Sequence, residues 1–170
     1  VWACACWAVG TTVVVGPDAT TAADVAVVGP DTVGLAAKVP EVVALSLRPL
    51  GAPFAARLPT GVLDYAIEVP AYPDRLAPYI PPPDGDPALD TPTGSVTYGD
   101  LLTMATARAA ELSAPIGARL LVPATDVFAA LRDALLAPLA ISGSVVLVRN
   151  EDVSARDSRM AAERADVRVS

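Results

Sequence analysis

The strongest constraint on this chain is a set of short, continuously apolar runs rich in β-branched residues. Thr11 to Val15 reads TTVVV, Val25 to Val28 reads VAVV, and Glu41 to Leu47 reads EVVALSL. Arg119 to Val122 (RLLV), Ser144 to Val148 (SVVLV) and Val167 to Val169 follow in the second half. A strand with one wet face alternates apolar and polar residues. A run without alternation suits a strand covered on both faces, as in parallel sheets whose crossovers lay helices there. The runs predict an α/β protein with a mainly parallel sheet and helices on both faces. Arg119–Val122 and Ser144–Val148 are expected to be parallel near neighbours.

The helical signals lie between these runs. Thr97 and Asp100 form a capping-box pattern, with Asp in place of the usual Glu. The helix that follows is expected to bury Tyr98, Leu101, Leu102, Ala105, Ala109 and Leu112. Its polar side would hold Asp100, Thr103, Arg108 and Glu111. A second helix, capped by Thr125, would bury Phe128, Leu131, Leu135 and Leu139, with Asp126, Arg132 and Asp133 on its polar edge. Ser154 and Asp157 repeat the capping pattern before a third helix reaching about Ala165. In the first half, Ala19–Ala23 and Thr32–Lys38 supply short crossovers.

Prolines divide the chain. Eight of the 17 fall between Pro70 and Pro92, including Pro81-Pro82-Pro83. Proline lacks an N–H and fixes φ, so this stretch reads as connector, with one short helix near Val62–Val69. The expected organisation is one α/β domain over 1–170. Its first lobe spans 1–60, a Pro-rich connector 61–94 and a second lobe 95–170.

Composition excludes several chemistries. The 170 residues contain no histidine, which removes imidazole acid–base catalysis and His-based triads or metal sites. Twelve basic residues against 19 acidic ones give a net charge of −7, which argues against a nucleic-acid partner. Cys4 and Cys6 are the only cysteines. Two apart on a helix, they diverge by about 200° and do not share a metal. They read as buried free thiols, which suits a cytoplasmic protein. Val1 to Gly16 is uncharged, lacks a basic n-region and is short for a membrane span. The chain opens without Met inside an apparent helix, so either the start is unusual or an upstream piece is missing. The apolar N-terminus with Trp2 and Trp7 needs cover, and self-association or an unidentified protein partner is expected to supply it.

Few motifs carry chemistry. GxSxG, GxGxxG and the Walker P-loop are absent, and Lys38 is the only lysine. Asp84-Gly85-Asp86 reads as a solvated turn rather than a calcium loop. No catalytic or metal-ligating set emerges. The segment Thr91-Pro92-Thr93-Gly94-Ser95 stands out as a small, hydroxyl-bearing loop leading into a helix, where backbone N–H groups can hold an anion.

The context of that loop resembles a known superfamily. Asp86-Pro87-Ala88-Leu89, the loop Thr91–Ser95, the helix Thr97–Leu112, Ile116–Val122, and Leu135–Leu139 before Ser144–Arg149 follow one another in order. The run resembles the central part of the large domain of adenylate-forming (AMP-binding) enzymes, the acyl-CoA synthetase and adenylation-domain superfamily. Ala5-Cys6-Trp7-Ala8-Val9-Gly10 before Thr11–Val15 is similar to that family's helix-Ala-Gly-strand unit. Within the superfamily, the chain resembles a group of short AMP-binding-like proteins. The resemblance implies two linked lobes of an adenylate-forming large domain, with Thr91, Thr93, Gly94 and Ser95 as a phosphate-loop remnant. The family's Pro-Lys-Gly has no counterpart, and the stretches that would carry its magnesium motifs and adenylation lysine are not in this sequence. The expected function is non-catalytic binding or interaction on a degenerate scaffold. No cofactor is expected beyond weak AMP. The alternative is an adenylate-forming (acyl-AMP) fragment or acyl-adenylate binder.

Overall fold

The computed structural model describes residues 2–16, 19, 23–73, 75, 80–123 and 126–169. It divides into two compact units, Val1–Pro81 and Pro82–Ser170.

The first unit opens with α1 (Trp2–Ala8) and a two-residue strand β1 (Val13–Val14). Strands β2 (Val25–Val28), β3 (Glu41–Ala44) and β4 (Val62–Asp64) form a three-stranded sheet in that order. Both of its pairings are parallel, with Val27 beside Val43 and Val43 beside Leu63. The crossover from β2 to β3 contains a 3₁₀ turn, Val33–Ala36, inside the expected Thr32–Lys38. Most of the other expected crossover, Ala19–Ala23, lies outside the described residues. The core is made of small side chains: Ala26, Val28, Ala36, Val39, Val42 and Ala44, with Phe54 and Leu58 packed against them. β2 buries only Ala26 and Val28, so it is a one-faced strand, contrary to the reading of VAVV as covered on both sides. β3 stops at Ala44 instead of Leu47, because both neighbours end opposite Ala44, at Val28 and Asp64; Leu47 beyond it takes a left-handed φ of 54°.

The segment 61–94 contributes more than a connector. It supplies β4 and the short helix α2 (Tyr65–Glu68) to the first unit, and β5 (Pro87–Thr91) to the second. The prolines left room for short elements: β4 and α2 fit between Pro59 and Pro70, and β5 begins at Pro87.

The second unit opens with an antiparallel hairpin of β5 and β6 (Gly94–Thr97). Helix α3 (Tyr98–Glu111) follows at once, and its capping box is present: Thr97 Oγ1 accepts from Asp100 N, and the Asp100 side chain accepts from Thr97 N. The Asp84–Asp86 turn packs on the start of this helix. Gly99 N donates to Asp84 O at 2.9 Å, and a Cβ on Gly99 would lie 3.3 Å from that oxygen, so glycine allows the approach. The main sheet has β7 (Arg119–Pro123) at its centre, between β8 (Ser144–Val148) and β9 (Val167–Arg168). Both pairings are parallel, with Leu120 beside Val145 and also beside Val167. This is the expected arrangement of Arg119–Val122 and Ser144–Val148.

Between β7 and β8 run α4 (Val127–Leu131), a π-helical turn over Arg132–Leu136, and α5 (Ala137–Ala140). Asp126 caps α4 by accepting from Ala129 N; Thr125, the expected cap, lies outside the described residues. Ala109 of α3, with Ala137 and Ile141, packs on Leu120, Val122 and Val169. Leu120 and Leu121 are adjacent and both fully buried, so β7 is covered on its two faces. Two expected core residues are exposed instead: Leu102 on α3 and Leu139 on α5. The π turn is the cause for Leu139, since its wider winding rotates everything after it off the 3.6-residue stripe. The last helix, α6, spans Arg156–Glu163 and is preceded by a 3₁₀ turn capped by Asp152, not Ser154.

Candidate functional site

Among the described residues, polar chemistry gathers in several places. The first is the expected loop. Thr91 is the last residue of β5 and Gly94-Ser95 open β6, so the segment is a hairpin with Pro92-Thr93 at its tip. Strand β6 stands between it and α3, so the expected loop directly before the helix is a β-turn. Gly94 has a φ of +144°, a conformation that L side chains rarely adopt, which is why the turn closes there. The hydroxyls face one another. Thr91 Oγ1 lies 2.9 Å from Thr93 Oγ1, donates to Gly94 O at 2.9 Å, and accepts from Thr93 N at 3.2 Å. Thr91, Thr93, Gly94 and Ser95 are thus brought together, but the Thr91 hydroxyl and Thr93 N–H already have partners inside the turn.

The second place is a buried ion cluster that sequence reasoning missed. Asp133, expected on a polar edge, is 4% exposed. Arg132 reaches it with two bonds, Nε to Oδ1 and Nη2 to Oδ2, both 2.8 Å. Arg108 on α3 adds Nε to Oδ1 at 2.8 Å and extends Nη1 to Glu111 at 3.0 Å. Burial alone pushes the Asp133 carboxyl up; the hydrogen bonds and charges of Arg132 and Arg108 outweigh it and hold the carboxyl below its usual range. A carboxylate saturated by two guanidinium forks is a clamp between α3 and the π turn, not a free base. The signal was present in part: Arg108 and Asp133 were both named as polar, but their pairing requires the π turn.

The third place is the carboxyl end of the first unit's sheet, where parallel sheets carry ligands. A cavity of about 340 Å³ opens there, lined by Leu45, Ser46, Leu47, Arg48, Tyr65 and Val69 among others. A second, of about 460 Å³, lies along β4 beside Phe54, Arg57, Leu58 and Ile67. Asp64 borders the second cavity and is 8% exposed. Its oxygens accept from Phe54 N at 2.8 Å and Ala66 N at 3.0 Å, which fixes the chain on both sides. The guanidinium of Arg48 donates to Pro53 O at 2.6 Å, and Ser46 Oγ donates to Ala52 O. Polar groups at this end therefore hold the loop from Ser46 to Phe54 in shape around mostly apolar walls.

The N-terminal residues behave differently from a core. Cys4 and Cys6 are free and half-buried rather than buried, as are Trp2 and Trp7. Trp2 meets Tyr65 edge-on at 5.6 Å between ring centroids. Among the described residues, no helix is long and apolar enough to cross a membrane, and no group of three His, Cys, Asp or Glu side chains is placed to hold a metal.

No family model matches the sequence, and no curated protein matches it. Among solved structures, the chain is similar to the amide bond synthetase McbA from Marinactinospora thermotolerans, with a TM-score of 0.54 and 22% identity. The match covers 96% of this chain and 35% of that one, so the chain spans about a third of the synthetase's length. The likeness is one of fold alone: this is a mixed α/β chain with mostly parallel sheets.

Proposed function

We propose that this chain is a non-catalytic binding or interaction protein on an adenylate-forming-like scaffold. The observation that carries the reading is the hairpin tip, where the Thr91 hydroxyl is spent on Thr93 and Gly94. Activating a carboxylate with ATP builds charge on phosphorus, and cations with preorganised donors must meet it. No lysine lies within fifty residues of the tip, and a net charge of −7 opposes a tetra-anion. Each missing charge-assisted contact costs about 2 kcal/mol, roughly thirtyfold in affinity. AMP carries less charge and loses less, so residual nucleotide binding favours the monophosphate. Titration calorimetry with magnesium–ATP and with AMP tests this. Micromolar ATP binding abolished by Thr93→Ala would overturn it.

A second reading, an adenylate-forming (acyl-AMP) fragment or acyl-adenylate binder, draws on the fold likeness over 96% of the chain. ATP–pyrophosphate exchange over a panel of carboxylates separates the two: exchange supports this reading and removes the first.

The proposal includes a second copy of the chain as partner, through α1. Trp2 and Trp7 are only half-buried and Val9 is 59% exposed. Light scattering at high concentration is expected to give a dimer or larger species, and a clean monomer would refute it. A cytoplasmic setting is proposed with it, on the free thiols of Cys4 and Cys6.

A further inference from the structure

The last helix carries a cluster of cations that none of the above uses. Arg156 and Arg159 stand three apart on α6 and so share a side of it. Arg168 lies on β9, in register beside Leu121. Glu151, in the loop after β8, is held by Arg156, whose Nη2 lies 2.5 Å from its Oε2. That hydrogen bond, then the charges of Arg156, Arg168 and Arg159, hold the Glu151 carboxyl below its usual range. Asp152 is occupied: it accepts from Ser154 N at 2.9 Å and from Ser154 Oγ at 2.7 Å.

Donors remain in excess. Arg156 Nε and Arg159 Nη1 are both buried, and neither has an acceptor. A buried guanidinium N–H with no acceptor is costly, and two in one cluster call for an anion. A carboxylate ligand offers two oxygens in one plane and matches a single fork, and Glu151 meets Arg156 through Nη2 alone, which leaves Nε of that fork open. A tetrahedral oxyanion spreads its acceptors and can meet donors from two arginines at once.

We propose that Arg156 and Arg159 form an oxyanion site that takes a phosphate-class group. The test uses the full chain with inorganic phosphate, sodium acetate and sodium chloride at matched ionic strength, reading thermal unfolding and titration heat. Phosphate is expected to raise Tm saturably, with acetate and chloride giving no saturable rise. Arg159→Ala is expected to weaken phosphate at least tenfold, while Arg57→Ala, an exposed cation of the first unit, leaves it unchanged. If Arg159→Ala does not fold, Arg159→Lys keeps the charge without the fork and is expected to weaken phosphate several-fold. Equal effects of phosphate and chloride would overturn the site. So would acetate binding as tightly as phosphate, or unchanged affinity in a folded Arg159 variant.

Discussion

The two units contain parallel sheets of three strands each, yet they are built from different material. The first buries Ala26, Val28, Ala36, Val39, Val42 and Ala44, and leaves Val25 and Val27 of the same sheet 49% and 37% exposed. The second centres on β7, where Leu120, Leu121 and Val122 are all at most 1% exposed. One kind of sequence signal, a short unbroken apolar run, thus ends in two environments. A middle strand flanked on both sides and covered on both faces uses every residue of its run. An outer strand uses alternate residues, and the rest remain as open apolar surface.

The largest expected effect tests that difference. Leu120→Ala should destabilise the chain by about 2–5 kcal/mol, since its cavity lies in a closely packed centre. Val42→Ala, 5% exposed in the thinner core, loses about two methylenes and should cost about 2 kcal/mol. Both tryptophans belong to the first unit, so their fluorescence reports it, while circular dichroism reports both. In urea, Leu120→Ala should shift the circular dichroism midpoint more than the fluorescence midpoint. Coincident shifts would mean that the units unfold as one and that the contrast between their cores has no separate consequence.

The ion cluster is the next largest effect, and it sharpens the comparison because it belongs to the second unit alone. Asp133→Asn leaves Arg108 and Arg132 facing a neutral amide, at a cost of about 2 kcal/mol, reduced from the fully buried case because Arg132 is partly exposed. The carboxyl is depressed in the folded state. Its contribution is therefore complete above the ordinary carboxylate pKa and is lost as pH falls through the lower, folded value. Acid titration of stability should show a steeper fall below about pH 4 in the parent than in Asp133→Asn. Parallel curves would mean that Asp133 contributes nothing through its charge.

The sequence made the second unit more legible than the first. The β7–β8 pairing followed from two unbroken runs separated by one helix, and the α3 start followed from Thr97 and Asp100, whose bonds are local. Local rules fail where winding changes. No residue type announces a π turn, so Leu139 read as core and Asp133 as surface, and the clamp to Arg108 was invisible. In the first unit, the one-faced burial of β2 depends on what does not cover it, and no residue of VAVV encodes that. The candidate loop was found by its hydroxyls and its glycine, but its turn geometry was not, because Thr-Pro-Thr-Gly fits a loop and a hairpin tip alike.

The hairpin tip carries the smallest effect and bears most directly on function. Thr91 Oγ1 serves three partners, Thr93 Oγ1, Gly94 O and Thr93 N, yet Thr93 and Gly94 are exposed and water can replace each bond. Thr91→Val keeps the β-branched shape that suits a strand end and removes only the hydroxyl. A solvent-facing hydrogen-bond network contributes a net of about 0.5–1 kcal/mol, so the loss of stability should stay in that range. The more telling readout is nucleotide affinity. If the hydroxyl is committed to the turn, AMP binding should be unchanged within error while the urea midpoint falls slightly. If Thr91→Val instead weakens AMP tenfold with the midpoint unmoved, the hydroxyl turns outward to a ligand. The tip is then a working phosphate contact rather than a remnant.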